Sequence, residues 1–374
     1  MSMATSKWAS LAALAAVGAF ALAGCGSSNS SSASGGGSSS ATKGTVGVIL
    51  PDSTTSPRWE NNDRPSLEAA FKAAGVGSDI QNAGGDTAKF GTICDSMINE
   101  GVKVLMIVNL DPESGAACLK KATQAGITSI DYDRLTPGGG ASYYVSFDNV
   151  KVGELMGQGL ITCLDKNGTK KANIIYINGA ETDNNAGLFK QGYEKALKAK
   201  LASGAYKLVG DVSGEWDANK AADAFDGLYT KNNGNIQGIV SANDTMAGGI
   251  IARLKANGLA GKVPITGQDA STGGLQQILA GNQCMTVYKN TDLEAGLASK
   301  LAIDLINGDT AAADALATGS VTDPTTNQPV KSALATPEAI FKNNIKKVFD
   351  DGFAKASDVC TGPYAKECQA AGIS

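Results

Sequence analysis

From Thr45 onward, short and nearly unbroken apolar runs alternate with longer stretches in which apolar residues recur at helical spacing. No other feature restricts the fold as strongly. Strands that are apolar on both faces need helices on both sides, and strand–helix–strand order builds a parallel sheet. Strands are expected at 45–50, 80–82, 102–108, 128–132 and 143–147. A helix follows the loop 52–57 as far as about 74, with Leu67, Ala70, Phe71 and Ala74 on one apolar face, and further helices are expected at 87–99 and 114–125. The pattern then restarts, with helices at 151–164, 188–202, 218–231 and 245–257 and strands at 173–177, 207–212, 238–241 and 264–268. Two successive modules predict an α/β fold of two doubly wound, Rossmann-like lobes. Ligands in such sheets bind outside the carboxyl ends of the strands.

The first 43 residues carry a different message. Lys7 precedes an apolar run over 8–22 that is too short to serve as a spanning helix and has the form of a signal peptide. The run ends in Leu22-Ala23-Gly24-Cys25, which resembles a bacterial lipobox with Cys25 as the lipidated residue. Residues 26–43 are mostly Ser, Gly and Ala and cannot bury enough apolar surface to become ordered, so they are expected to act as a linker. Together these segments predict an exported protein of the cell envelope, tethered by lipid to the outer face of the cytoplasmic membrane or, with plain secretory cleavage, periplasmic.

Composition excludes several functions. The chain has no histidine and no CxxC pair, which removes the usual zinc constellations and every His-dependent triad; no metal and no cofactor is called for. A formal net charge of −4 is the wrong sign for a nucleic-acid partner. Apart from Cys25, six cysteines remain. Cys94 with Cys118, on consecutive helices, and Cys360 with Cys368, near each other in the tail, are the expected disulfides, while Cys163 and Cys284 stay open between a disulfide and buried thiols.

The residues after the strands form an unusual set: Arg58-Trp59, Asp133-Arg134, Asp183-Asn184-Asn185, Asn243-Asp244 and Asp269. A pyranose offers hydroxyls that both donate and accept, together with an apolar face of C–H groups. Asp and Asn bridge neighbouring hydroxyls, Arg supplies a planar fork, and Trp59 or Trp216 lies against the ring. Asp133, Asp183 or Asn243 would equally suit the cap of a following helix, and both roles can hold at once.

In order along the chain, Pro57-Arg58-Trp59, Tyr132-Asp133-Arg134, Ser146-Phe147-Asp148-Asn149, Val152-Gly153-Glu154, Asp183-Asn184-Asn185-Ala186, Ala242-Asn243-Asp244, Gly267-Gln268-Asp269-Ala270 and Val287-Tyr288-Lys289 resemble the periplasmic sugar-binding proteins of ABC transporters. The D-xylose-binding branch is the most similar and the multiple-sugar branch second. The resemblance implies a type I periplasmic-binding-protein fold in which Arg58, Asp133, Arg134, Asp183, Asn185, Asn243, Asp269 and Lys289 hydrogen-bond the sugar and Trp59 and Trp216 flank it. It implies three hinge crossings, near 147–149, 286–288 and 335–336, with 44–148 plus 288–335 as the N-terminal lobe and 149–287 plus 336–374 as the C-terminal lobe and tail. The partners it implies are a monosaccharide, with D-xylose favoured over arabinose, glucose and galactose, and a permease and ATPase complex or, as the alternative, a chemoreceptor or sensor kinase, served by a monomer. A glycosidase would need one carboxyl raised as an acid; Arg and Lys beside Asp133, Asp183 and Asp269 are expected to keep all three low.

Overall fold

The computed structural model describes residues 44–373, so the signal segment, Cys25 and the linker expected over 1–43 lie outside the described residues. The first lobe begins with β1 (Thr45–Leu50), α1 (Arg64–Ala74), β2 (Gly77–Asn82), α2 (Thr87–Glu100), β3 (Val104–Ile107), α3 (Pro112–Gln124), β4 (Thr128–Tyr132) and β5 (Tyr143–Phe147). The second contains α4 (Asn149–Lys166), β6 (Ala172–Asn178), α5 (Asn184–Ala202), β7 (Tyr206–Ser213), α6 (Ala218–Lys231), β8 (Gly238–Ser241), α7 (Asp244–Ala256), α8 (Thr272–Leu279) and β9 (Met285–Tyr288). The chain then returns to the first lobe as α9 (Thr291–Ile306), α10 (Thr310–Leu316), β10 (Gly319–Thr322) and β11 (Pro329–Ala335). It ends on the second with β12 (Glu338–Phe341) and a tail of short helices.

The first sheet has seven strands in the order β10-β11-β5-β4-β3-β1-β2, parallel throughout except where β10 meets β11. Alternation along β1 explains why it is covered on both sides. Val46, Val48 and Leu50 pack into a cluster with Leu67 and Phe71 of α1 and Leu301 of α9, while Ile49 packs into another with Phe90 of α2 and Leu119 of α3. The order turns back at β1 and β3, which is where the polar loop carrying Arg58 leaves β1.

In the second lobe β7-β6-β8 is parallel, and β9 pairs antiparallel with β12. The strand expected over 264–268 is instead a link between the two groups, touching β8 at Ile265 and β9 at Gln268 by single bridges. Pro264 cannot donate to a ladder, and the backbone turns out of extended geometry at Asp269, so no longer pairing forms. Helices α4 and α5 approach so closely that a Cβ on Gly153 would stand 1.9 Å from the Phe189 carbonyl oxygen, and one on Gly192 2.1 Å from that of Val150. Only glycine permits that distance, and it fixes where the N-terminal half of α5 lies.

Two crossings lie side by side, since Asp148 donates its N–H to the Ala335 carbonyl where β5 and β11 end. Tyr288, grouped with the first lobe from sequence, pairs with Glu338 in the second, so the chain crosses after it, at Lys289. Three disulfides are present among the described residues. Cys94–Cys118 joins α2 to α3 and Cys360–Cys368 closes the tail, as expected, and Cys163–Cys284 resolves the open alternative by tying α4 to the start of β9. Among the described residues no helix is long and apolar enough to cross a membrane.

Candidate functional site

At the carboxyl ends of both sets of strands the loops converge on one cavity. It is lined from the first lobe by Thr55, Ser56, Arg58, Trp59, Asp133 and Arg134, and from the second by Asp183, Asn185, Phe189, Trp216, Asn243, Gln268 and Asp269, with Lys289 from the crossing. All ten residues expected from sequence to contact a sugar therefore meet in one place, while Asn184 and Asp244 of the same loops do not line it. Each is buried, none more than 8% exposed.

The local structure explains how they get there. After β1 the chain winds a wide π-helical turn over Trp59–Asp63 before α1 begins, and π turns re-aim side chains relative to an α-helix. Arg58 turns inward and is fixed by four hydrogen bonds. Its Nε and Nη2 donate to Asp63 at 2.9 and 2.7 Å, Nη2 also donates to Glu294 at 2.6 Å, and Nη1 donates to Asp133 at 2.7 Å. Four of five N–H groups are engaged, and the fifth is on Nη1, at the cavity side where Asp133 lies. The Arg58 guanidinium carbon stands 4.4 Å from the centre of the Trp59 ring and that of Arg134 5.7 Å, so cations hold the Trp59 wall in place.

Asp183 and Asn243 have both roles considered for them. Each caps its helix, accepting from the N–H of Asn185 and of Met246, and each also lines the cavity. Asp133 caps nothing. It sits at φ 61° just past β4, and its carbonyl accepts from Ser146, Tyr144 and Asn185. Trp216 (φ 59°) and Asp269 (φ 101°) are also held at positive φ, so three cavity-lining non-glycine residues carry backbone strain of the kind that concentrates at functional sites.

The electrostatics are balanced. Arg58, Arg134 and Lys289 supply three positive charges and Asp133, Asp183 and Asp269 three negative ones. Arg134 Nε lies 2.9 Å from Asp183, and Lys289 Nζ lies 3.7 Å from Asp133 and 3.6 Å from Asp269. Burial pushes the Asp133 carboxyl up, but Lys289, Arg58 and Arg134 outweigh it and hold the group at about 2. Glu294 is pushed up to about 8 by burial, against the pull of Arg58. The expectation that cations keep all three lining carboxyls low fails for Asp183, because burial raises it despite Arg134.

Several contacts run directly from lobe to lobe. Asn185 Nδ2 donates to the Asp133 carbonyl at 2.8 Å, Asn243 Nδ2 donates to that of Thr55 at 3.5 Å, and Ser56 Oγ donates to Asp269 at 3.5 Å. The conformation is closed. Trp59 Nε1, Trp216 Nε1 and Gln268 Oε1 are buried without a protein partner among the described residues. A surface with equal charges of both signs, several donors and acceptors, and aromatic walls suits a neutral polyhydroxylated molecule.

Sequence reasoning missed Thr55, Ser56, Phe189 and Gln268 in the lining, and Asp63 and Glu294 behind it. Phe189 lies four residues after Asn185 on α5, so helical spacing gave a usable signal; Gln268 directly precedes Asp269. Glu294 is 236 residues from Arg58, and no local pattern announces it.

The sequence profile of the periplasmic binding protein domain matches residues 46–310. The chain is 37% identical over 317 residues to the D-xylose-binding periplasmic protein of Escherichia coli (strain K12), covering 84% of this chain and 92% of that one. It is 32% identical over 336 residues to a multiple sugar-binding periplasmic receptor of Rhizobium radiobacter, covering 85% and 93%. A carbohydrate transporter solute binding protein from Chloroflexus aurantiacus, solved in complex with D-glucose, superposes with a TM-score of 0.76 at 27% identity, covering 84% of this chain and 97% of the other.

The Asp133 environment makes a prediction about acid. Its folded pKa, about 2, lies below the ordinary 3.8, so ionised Asp133 stabilises the fold above about pH 4 and that contribution is lost as pH falls from about 4 to 2. The amount is about 2 kcal/mol. Asp133→Asn should therefore show a shallower loss of stability than the wild type across that window in denaturant titrations; equal slopes would contradict the assignment.

Proposed function

This chain belongs to the periplasmic binding protein family, as a sugar-binding protein of the ABC-transporter type and not an enzyme, and on that premise we propose that it binds D-xylose in the cavity between its lobes. The observation that carries the proposal is the charge-balanced, fully buried ring of side chains from both lobes around one small cavity. Arg58, Asp133, Arg134 and Lys289 bond the sugar hydroxyls from one side and Asp183, Asn185, Asn243 and Asp269 from the other, while Trp59 and Trp216 cover its faces. The choice of D-xylose rests on the 37% identity to the Escherichia coli protein of that name.

Because the contacts come from both lobes, the sugar gains bonds in the closed form that the open form cannot offer. Its difference in affinity for the two forms is what moves the hinge. The closed, loaded form delivers the sugar to a permease and ATPase complex. Cys25 carries the lipid that keeps the protein beside them, with residues 26–43 as the tether. The multiple-sugar receptor at 32% identity favours a second reading, a broader range of aldoses.

Three measurements test this. In a thermal-shift panel of D-xylose, L-arabinose, D-glucose and D-galactose, D-xylose should give the largest upward shift; equal shifts favour the broader reading, and no shift with any sugar sinks both. By titration calorimetry Asp269→Ala should cost about 2–4 kcal/mol of sugar binding, because a buried charged acceptor is removed. For the tether, Cys25→Ser should move the protein from the membrane fraction to the soluble one; unchanged fractionation removes the lipid from the account.

A further inference from the structure

Beneath the sugar cavity lies a carboxylate that the functional reading leaves unused. Asp244, the first residue of α7, is 4% exposed. Its Oδ1 accepts from Gln283 Nε2 at 2.7 Å. Its Oδ2 accepts from the Ser271 N–H at 2.9 Å, from Thr286 Oγ1 at 3.1 Å and from Ser271 Oγ at 3.3 Å. The two hydroxyls have their acceptor roles taken elsewhere. Thr286 Oγ1 accepts from the Ala270 N–H, and Ser271 Oγ accepts from that of Gly274, which leaves each hydroxyl hydrogen for Asp244. Four donors turned on one group make a socket suited to an ionised carboxylate.

The chain from Gly267 to Gly274 wraps tightly around that carboxylate. A Cβ at Gly267 would stand 2.1 Å from Asp244 Oδ1 and one at Gly274 2.2 Å from Oδ2. The Asp244 N–H also donates to the Gln268 carbonyl at 3.0 Å. Between the two glycines are Asp269 at φ 101° and Ala270 at φ 51°, consecutive non-glycine residues in conformations that persist only where the surroundings fix them. Gln268 and Asp269 both line the sugar cavity.

We propose that the Asp244 carboxylate is the positioning residue that holds the Gln268–Asp269–Ala270 corner in its sugar-binding shape, so that protonating Asp244 weakens sugar binding. The inference rests on the reading that Asp269 bonds the sugar. Protonating Asp244 would turn an acceptor into a donor, so a hydroxyl or the Gln283 amide, whose buried Oε1 has no other partner among the described residues, would have to turn to accept it, and the Ser271 N–H, which cannot turn around, would lose its charged partner. The donors facing Asp244 are all neutral; Asp269 is the charged group that bears on it, and Lys289 lies beyond, 3.6 Å from Asp269. Burial pushes Asp244 up to about 7, Asp269 adds to the rise, and Gln283, Ser271 and Thr286 oppose it. Affinity should therefore fall as pH drops through about 7, by at most tenfold per unit for a single proton.

The test is titration of D-xylose, or of the best sugar in the panel, into wild type, Asp244→Asn and Thr286→Val between pH 8 and 5.5. Glu294 and Asp131, pushed by burial to about 8 and about 7, are present in all three, so differences between profiles decide. Expected are at least tenfold weaker binding by Asp244→Asn at pH 8 with a flatter profile. For Thr286→Val, which loses one donor but keeps the carboxylate, the expected result is a profile displaced to higher pH. Profiles of one shape in all three proteins overturn the proposal, as does Asp244→Asn with wild-type affinity. If Asp244→Asn does not fold, the displacement in Thr286→Val decides alone. Wild type that binds no sugar at any pH overturns the functional reading first, and this inference with it.

Discussion

A guanidinium buried as deeply as that of Arg58 must be neutralised where it stands, and the way this is done ties the site together. Asp63 comes from the π-helical turn, Asp133 from the end of β4 and Glu294 from α9, so one side chain joins three segments distant in sequence. Pairing of this kind gives little net stability over an apolar core, but removing Arg58 leaves its carboxylate partners buried without that counter-charge, at a cost of roughly 3–5 kcal/mol. The same arrangement orients the remaining Arg58 N–H, presses the Trp59 ring into place and keeps Asp133 ionised. The first-lobe half of the cavity is therefore preorganised in part by Asp63 and Glu294, which do not line it themselves.

The second-lobe half is built differently. Its polar groups stand at helix starts and on strained corners: Asp183 and Asn243 cap α5 and α7, while Trp216 and Asp269 hold positive φ. The close contact of α4 with α5 through Gly153 and Gly192 fixes the helix that presents Asn185 and Phe189. Two rigid halves whose cavity-lining side chains together carry three charges of each sign can close over a neutral polyol.

Much of this was legible because parallel sheets put their ligand groups where sequence can mark them, immediately after apolar runs. Arg58, Asp133, Asp183, Asn243 and Asp269 were found that way, and all line the cavity. Groups contributed by distant segments were not legible, since nothing near Glu294 signals that it will meet Arg58 across 236 residues. The segment 264–268 reads as a strand because its place in the alternation cannot register that the backbone turns at Asp269 after two single bridges. Likewise Tyr288 looks like the start of the returning lobe until β12 is seen to pair with it. The Cys163–Cys284 disulfide spans 121 residues, a separation at which sequence gives no pairing rule.

The central claim is that side chains from both lobes grip one sugar molecule, and a crystal structure of the protein grown with D-xylose tests it most directly. The account predicts a single ring between Trp59 and Trp216, its hydroxyls within hydrogen-bond distance of Arg58 and Asp133 on one side and of Asn185, Asn243 and Asp269 on the other. A sugar bound to one lobe alone, or lodged outside this cavity while those side chains keep the pairings described here, would contradict it.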